Sequence, residues 1–345
     1  MNLPTQKPVT IVISPRDRYT GLDQCITTLY QHTDPTLFKL IILDLGYPKK
    51  VMALAEEAIK NKDNARIIDY GFIIPIDAMS RVRHEIDTPY AAFLDNDSRV
   101  TPNWLPPIIE TANDKDAAVV YPVTLERSGV DEGEDLRNHL FTTELRIVDV
   151  EQTPYLIEEK THRRTLPEDL PQAVTESQAF ELHCVMFNTK ILQKIELPHM
   201  TIREHLDIGM QLKNLDLKIY VDPRSHIIFD NLGTRAALAD LKYFNLRWNS
   251  KITEQSSRLF EQRWGYKFYS EESIYNWAIR RRLFLLLRWL YLPNSVANKI
   301  DRVFSAIRRR LFPIWDPLKN PNEASMLLYD QFNNAAPKQI DHTVK

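Results

Sequence analysis

Disulfide capacity, backbone freedom and long apolar runs are all scarce in this chain of 345 residues. Its two cysteines, Cys25 and Cys184, exclude a disulfide-stapled scaffold and fit a reducing cytosol. Eight glycines against 21 prolines exclude flexible glycine-rich linkers, so the loops are stiffened by proline instead. No run approaches the roughly 18 consecutive apolar residues of a membrane-spanning helix. The nearest, Leu283–Leu292, is broken by Arg288. The opening MNLPTQKPVTIVIS enters a strand-like run without a signal-peptide core. With 44 basic and 46 acidic side chains the net charge is -2, so no global basic excess points to nucleic acid.

What is present is alternation. β-Branched or apolar runs at Val9–Ser14, Lys39–Leu45, Ala65–Tyr70 and Tyr90–Leu94 read as strands. Between them Gly21–Gln31, Val51–Asn61 and Asp77–Ile86 read as helices. This order predicts an α/β fold with a mostly parallel sheet, whose ligands gather at the carboxyl ends of the strands. Asp44 and Asp95 stand at such ends. Ala117–Tyr121, Phe180–Asn188 and Lys218–Val221 are further strand candidates, and Arg203–Lys213 is a helix candidate. Residues 126–171 read as a polar, irregular insertion or lid. From about Ala236 the pattern turns helical. The expected division is a domain over 1–235 and a helical region with a polar tail over 236–345.

The apolar strand Tyr90–Leu94 delivers Asp95-Asn96-Asp97. Two carboxylates one residue apart repel each other and are costly to desolvate unless paired or bound to metal. A hard divalent cation, Mn²⁺ or Mg²⁺, takes oxygen ligands and keeps positions for substrate phosphates. Asp97 is expected to hold the metal directly, and Asp95 a ribose or a metal-bound water. An ordinary strand-end turn is the plain alternative. A sharper one is the first motif of haloacid-dehalogenase-type phosphatases, which the string Phe93–Ser98 resembles. That motif belongs on a first strand, whereas three strand candidates precede this one.

With these residues in view, 9–110 resembles the nucleotide-binding half of family 2 glycosyltransferases, whose fold is of the GT-A type. Val9–Ser14 followed by Pro15 is similar to their opening strand, and Lys39–Asp44 to their second, whose terminal Asp contacts the nucleotide base. Thr88–Asp97 with Pro102–Leu105 resembles their metal-binding strand and the segment after it. Met79-Ser80 replaces the Arg-Asn pair usual before the triplet, with Arg81 and Arg83 nearby. The turn after the second strand, Asp44–Tyr47, also departs from the family. The resemblance implies Pro15, Asp44, Arg81, Asp95, Asn96 and Asp97 as nucleotide-sugar contacts.

Arg203–Gly209 carries a second acidic cluster. Glu204 and Asp207 share a helix face, and Glu204 and His205 fall in the first turn, where the helix dipole favours a carboxylate. An amphipathic helix with solvated charges gives the same spacing. The resemblance implies a Glu-Asp pair at this helix start. Here it is Glu204-His205, with Asp207 following, so the expected base is Glu204, then His205, then Asp207. His226, after the next strand, is a candidate metal ligand beside Asp95 and Asp97. Glu181 and His183 are candidate contacts to acceptor or sugar, with a hydrogen-bonded core pair as the alternative.

Residues 278–315 hold nine arginines and lysines around two apolar, aromatic-rich runs, with Asp301 the only acid. Such helices suit an anionic membrane surface, or pack on a neighbouring domain with their arginines in water. The expected function is transfer of a sugar, with inversion, from a nucleoside diphosphate sugar to a glycan or lipid-linked acceptor. It would serve polysaccharide or glycolipid assembly, in the cytoplasm or at the inner face of the plasma membrane. A noncatalytic nucleotide- or glycan-binding relative is the competing expectation.

Overall fold

A computed structural model describes residues 7–127, 136–150, 152–229, 237–268, 290 and 292–311. The first half alternates as the sequence predicts: β1 (Val9–Ser14), α1 (Leu22–His32), β2 (Phe38–Asp44), α2 (Lys49–Ile59), β3 (Ala65–Asp69), α3 (Pro75–Val82) and β4 (Tyr90–Asp95). Then follow β5 (Ser98–Val100), α4 (Leu105–Asp114), β6 (Val119–Arg127), β7 (Leu136–Asn138), β8 (Thr143–Val150), β9 (Thr153–Lys160) and β10 (Thr175–Ser177). The remainder is β11 (Cys184–Asn188), α5 (Thr189–Leu192), α6 (Glu204–Asn214), β12 (Ile219–Phe229), α7 (Asp240–Arg247), α8 (Ser250–Trp264), β13 (Lys267–Phe268) and α9 (Asn294–Leu311).

The main sheet runs β10-β12-β6-β11-β4-β1-β2-β3, with β5 added to β12 and β7 to β6. β3, β2, β1 and β4 are mutually parallel, while β11 enters antiparallel between β4 and β6. Val9, Ile11, Val12 and Ile13 are all fully buried, as expected of a central strand covered on both faces. Pro75 opens α3 where no helical N–H is needed. The register aligns Ser14 with Asp95 and Asp44 with Asp69, so the carboxyl ends of four strands form one polar edge. This mixed, mostly parallel sheet flanked by helices is a GT-A fold.

The insertion after β6 is not irregular. β8 and β9 form an antiparallel hairpin closed by a two-residue turn in which Gln152 takes φ 66°. Leu145, Ile147 and Leu156 from the hairpin meet Leu206 and Met210 of α6 and Phe260 of α8 in a small core of their own. Interspersed charges obscured its alternation; one cross-strand ion pair joins Arg146 and Glu159. The hairpin therefore stands beside the amino end of α6. β12 also runs beyond the expected Val221, to Phe229, through an irregularity between Asp222 and His226.

The expected boundary at residue 235 falls outside the described residues. Just past it, α7 and α8 are tied to the body. Buried Asp240 accepts hydrogen bonds from the Tyr19 and Thr20 amides (2.7 and 3.0 Å) and the Thr20 hydroxyl (2.9 Å). Phe260 is fully buried.

Candidate active site

The site is assembled by the loop that follows β1. Each residue of Arg16–Gly21 touches a different part of it. Arg16 Nη2 donates to Glu204 Oε1 at 2.9 Å, and Trp248 Nε1 donates to Asp17 Oδ1 at 2.9 Å. Arg18 Nε donates to Asp97 Oδ2 at 2.8 Å, and Tyr19 offers its carbonyl to Asn96 Nδ2 at 3.1 Å. Thr20 binds Asp240. Gly21 has φ +110°, and a Cβ there would lie 2.9 Å from the Asp97 Cα. No other residue fits at this backbone conformation and proximity. Gly21→Ala is expected to cost about 1–3 kcal/mol through strain and to shift the Asp95–Asp97 turn. Urea unfolding of the variant checks this, and unchanged stability would contradict the close approach.

Asp95, Asn96 and Asp97 are 4%, 0% and 5% exposed. Asp95 Oδ2 lies 2.8 Å from His183 Nδ1, whose ring stacks on Phe229 at 4.0 Å between centroids. Burial raises the Asp97 carboxyl above its ordinary range and the nearby Asp95 adds to the rise, while Arg18 opposes it. Asp97 Oδ1 and Asn96 Oδ1 are buried without a hydrogen-bond partner. Orphaned oxygens beside a carboxylate that is unwilling to ionise fit a hard divalent cation.

Across from this turn, Glu204 opens α6 and is 3% exposed. Its Oε1 receives both Arg16 (2.9 Å) and Arg247 (3.1 Å). Burial opposes its charge, yet the two guanidinium groups hold it below the usual carboxylate range. Burial also opposes the charge on both arginines. The field of Glu204, Asp95 and Asp17 outweighs this at Arg16, whereas Arg247, repelled by Arg16, ends below its ordinary value. His205 Nε2 lies 3.3 Å from Glu158 Oε1 on β9, and its Nδ1 has no hydrogen bond. Burial works against a charged His205, but Glu181 and Glu158 raise its proton affinity above the ordinary value.

Asp207 is placed elsewhere. It accepts from Gln211 Nε2 (2.7 Å), Arg263 Nε (2.8 Å) and Trp264 Nε1 (2.8 Å), which locks α8 to α6. Both its oxygens are taken, which leaves it no freedom to accept a substrate proton. His226 is half-buried on β12 and its carbonyl accepts from Thr101 Oγ1 at 2.8 Å. Burial lowers its proton affinity. The residue of β12 that reaches His183 is Phe229 instead, so His226 is not brought to Asp95 and Asp97.

Pro15 is buried directly after β1. Asp44 Oδ1 accepts from the Gly46 and Tyr47 amides at 2.9 Å each, which shapes the turn after β2. Arg81 sits over the Tyr70 ring at 5.8 Å. Glu181 and His183 lie in the loop before β11 rather than on a strand, and both approach His139. His139 Nε2 is 3.6 Å from Glu181 Oε1, and the two imidazole rings are 5.7 Å apart. Arg16, Arg18, His139, Glu158, Asp240 and Arg247 are neighbours of these candidates that the sequence alone does not point to. The charged run Arg16-Asp17-Arg18 at a strand's carboxyl end was the one available signal.

Residues 10–181 match the family model described as glycosyl transferase family 2. No curated protein sequence matches the chain. Among solved structures, GalNAc-T7 crystallised with UDP, GalNAc and Mn²⁺ is similar at TM-score 0.50 and 14% identity, over 79% of this chain. The match spans 55% of that chain's length. S. aureus TarS 1-349 in complex with UDP-GlcNAc is similar at TM-score 0.47 and 10% identity, over 88% of this chain and 91% of that one. The family match removes the phosphatase reading of Phe93–Ser98, which β4, as the fourth strand of its domain, also disfavours. Residues 10–181 of the chain are thus a glycosyl transferase family 2 domain.

Proposed function

We propose that the protein transfers a sugar, with inversion, from a nucleoside diphosphate sugar to an acceptor hydroxyl. The observation that carries this reading is the buried Asp95–Asp97 turn, with its orphaned oxygens, facing the amino end of α6 across the arginine loop. Asp44, Arg81 and Pro15 are the protein's nucleotide contacts in this reading. Asp97 and the remaining oxygen of Asp95 would hold Mn²⁺ or Mg²⁺. When bound, that ion supplies charge neutralisation for the departing diphosphate. UDP, which GalNAc-T7 carries in its crystal, is the first nucleotide to test.

Arg18 neutralises Asp97 and fixes its orientation. His183 Nδ1, 2.8 Å from Asp95 Oδ2, orients that carboxylate, and the Phe229 ring stacks on the His183 ring. His205 is the better base. Glu204 is committed to two buried guanidinium groups and Asp207 to Arg263 and Trp264. The acceptor oxygen bonds to the anomeric carbon as the carbon–oxygen bond to the diphosphate breaks. The diphosphate leaves with the electron pair, and the hydroxyl proton passes to the imidazole of His205. Glu158 orients that ring. Transfer assays with UDP-sugars and varied acceptors test the reading. Nucleotide-sugar binding without transfer to any acceptor would favour the noncatalytic alternative.

No described helix is long and apolar enough to cross a membrane. Of the basic region at 278–315, residues 290 and 292–311 are described. On α9, Val303 and Phe304 are 57% and 55% exposed, with Ile307 and Val296 also uncovered and Lys299 and Arg302 at the surface. We assign this face to an anionic bilayer surface, because an apolar stripe flanked by cations matches its chemistry. Phe304→Glu is expected to lower the fraction of protein sedimenting with phosphatidylglycerol vesicles. Equal sedimentation with neutral phosphatidylcholine vesicles would contradict the assignment.

A further inference from the structure

Beside the Asp95–Asp97 turn lies a second cluster that sugar transfer does not explain. His139 stands between β7 and β8, while Glu181 and His183 precede β11. One ligand atom from each of the three lies within 4.8 Å of the others. Each imidazole has a carboxylate behind it. His183 Nδ1 is within hydrogen-bonding distance of Asp95 Oδ2, at 2.8 Å, and His139 Nδ1 is 3.0 Å from Glu126 Oε1 without an aligned hydrogen bond. Metal-bound histidines are commonly oriented in this way, with the second nitrogen held by a carboxylate and the first turned to the ion. Here the two rings meet nearly edge to face, at 85°. Lys160 and His139 both approach Oε1 of Glu181, so its Oε2 remains for a ligand.

The local charge also asks for a cation. Asp95, Glu126, Glu158 and Glu181 are four carboxylates, and Lys160 and Arg16 are the cations set against them. If the imidazoles are neutral, a partly buried excess of negative charge remains. The three side chains are 13–20% exposed, which leaves a path for an ion and an open coordination position.

We propose that His139, Glu181 and His183 form a second metal site that takes a zinc-class divalent cation. Two imidazole nitrogens and one carboxylate with an open fourth position are a zinc-type donor set. The all-oxygen set at Asp95 and Asp97 suits Mn²⁺ or Mg²⁺ instead. In this assignment Glu181 and His183 hold an ion rather than touch a sugar. Asp95 becomes the link between the two centres. The assignment does not depend on sugar transfer, since its test reads metal binding alone.

The test is isothermal titration of Zn²⁺ into the chelator-treated full chain, in the presence of excess Mg²⁺, on wild type, His139→Asn, Glu181→Gln and Asp97→Asn. The expected result is one Zn²⁺ per chain in wild type and in Asp97→Asn, with at least tenfold weaker binding in the other two. X-ray absorption at the zinc edge of the loaded wild type, which needs no variant to fold, is expected to show two imidazole ligands. Absent Zn²⁺ binding, a coordination shell of oxygens alone, or undiminished binding in both His139→Asn and Glu181→Gln would overturn the proposal.

Discussion

His205→Asn is expected to lower kcat for sugar transfer by about 100- to 10,000-fold, the usual worth of a positioned general base, with donor affinity unchanged. Asparagine roughly preserves the space of the ring and can still bond Glu158, which in the native protein lies 3.3 Å from Nε2. What it removes is the proton acceptor. The expected pattern is therefore a fall in kcat and in kcat/KM together. Glu158→Gln should give a smaller loss in the same direction, because it loosens the ring without deleting it. A loss confined to the donor KM would make His205 a binding residue. Full activity in His205→Asn would return the base to Glu204.

Glu204→Ala has a different signature. Two guanidinium groups converge on one oxygen of a carboxylate that is 3% exposed, and the Arg16 and Arg247 side chains are 13% and 4% exposed. Removing the carboxylate leaves two cations facing each other with little water. Breaking a buried ion pair in this way typically costs about 3–5 kcal/mol. The variant should show that loss as a lower urea midpoint. Donor binding should weaken as well, since Arg16 belongs to the loop that carries Arg18 to Asp97. A stability change under about 1 kcal/mol, the range of an exposed ion pair, would show that the arginines find water or other partners. The two neighbours at the start of α6 thus divide the work. Glu204 holds the loop and α7 in place, and His205 is the base in the proposed reaction.

The parallel half of the fold was legible because its signals are local. Val9–Ser14 and Tyr90–Leu94 are dense β-branched or apolar runs, and the helices between them carry their apolar residues at helical spacing. Asp95–Asp97 was legible for the same reason, as a polar break at the end of an apolar strand. The hairpin Thr143–Lys160 was not, because its buried Leu145 and Ile147 are interleaved with Glu144 and Arg146, and Leu156 shortly precedes the charged run Glu158–Lys160, charges that find partners only after folding. The arginine loop was equally hidden. Arg16 meets Glu204 188 positions away, and Tyr19 meets Asp240 221 positions away. A charged run in sequence does not say which distant group it will neutralise. Asp207 shows the converse. Its spacing from Glu204 suggested a shared task, while Arg263 and Trp264, far along the chain, decide its role.

The central claim is tested most directly by titrating UDP, with and without Mn²⁺, into wild type and Asp97→Asn. The account predicts binding that strengthens with Mn²⁺ in wild type and loses that dependence in the variant. GDP and dTDP serve in the same format if UDP is not the cognate nucleotide. Failure of all three to bind under either condition, or identical metal-dependent binding in Asp97→Asn, would contradict a nucleotide-sugar site built on Asp95–Asp97.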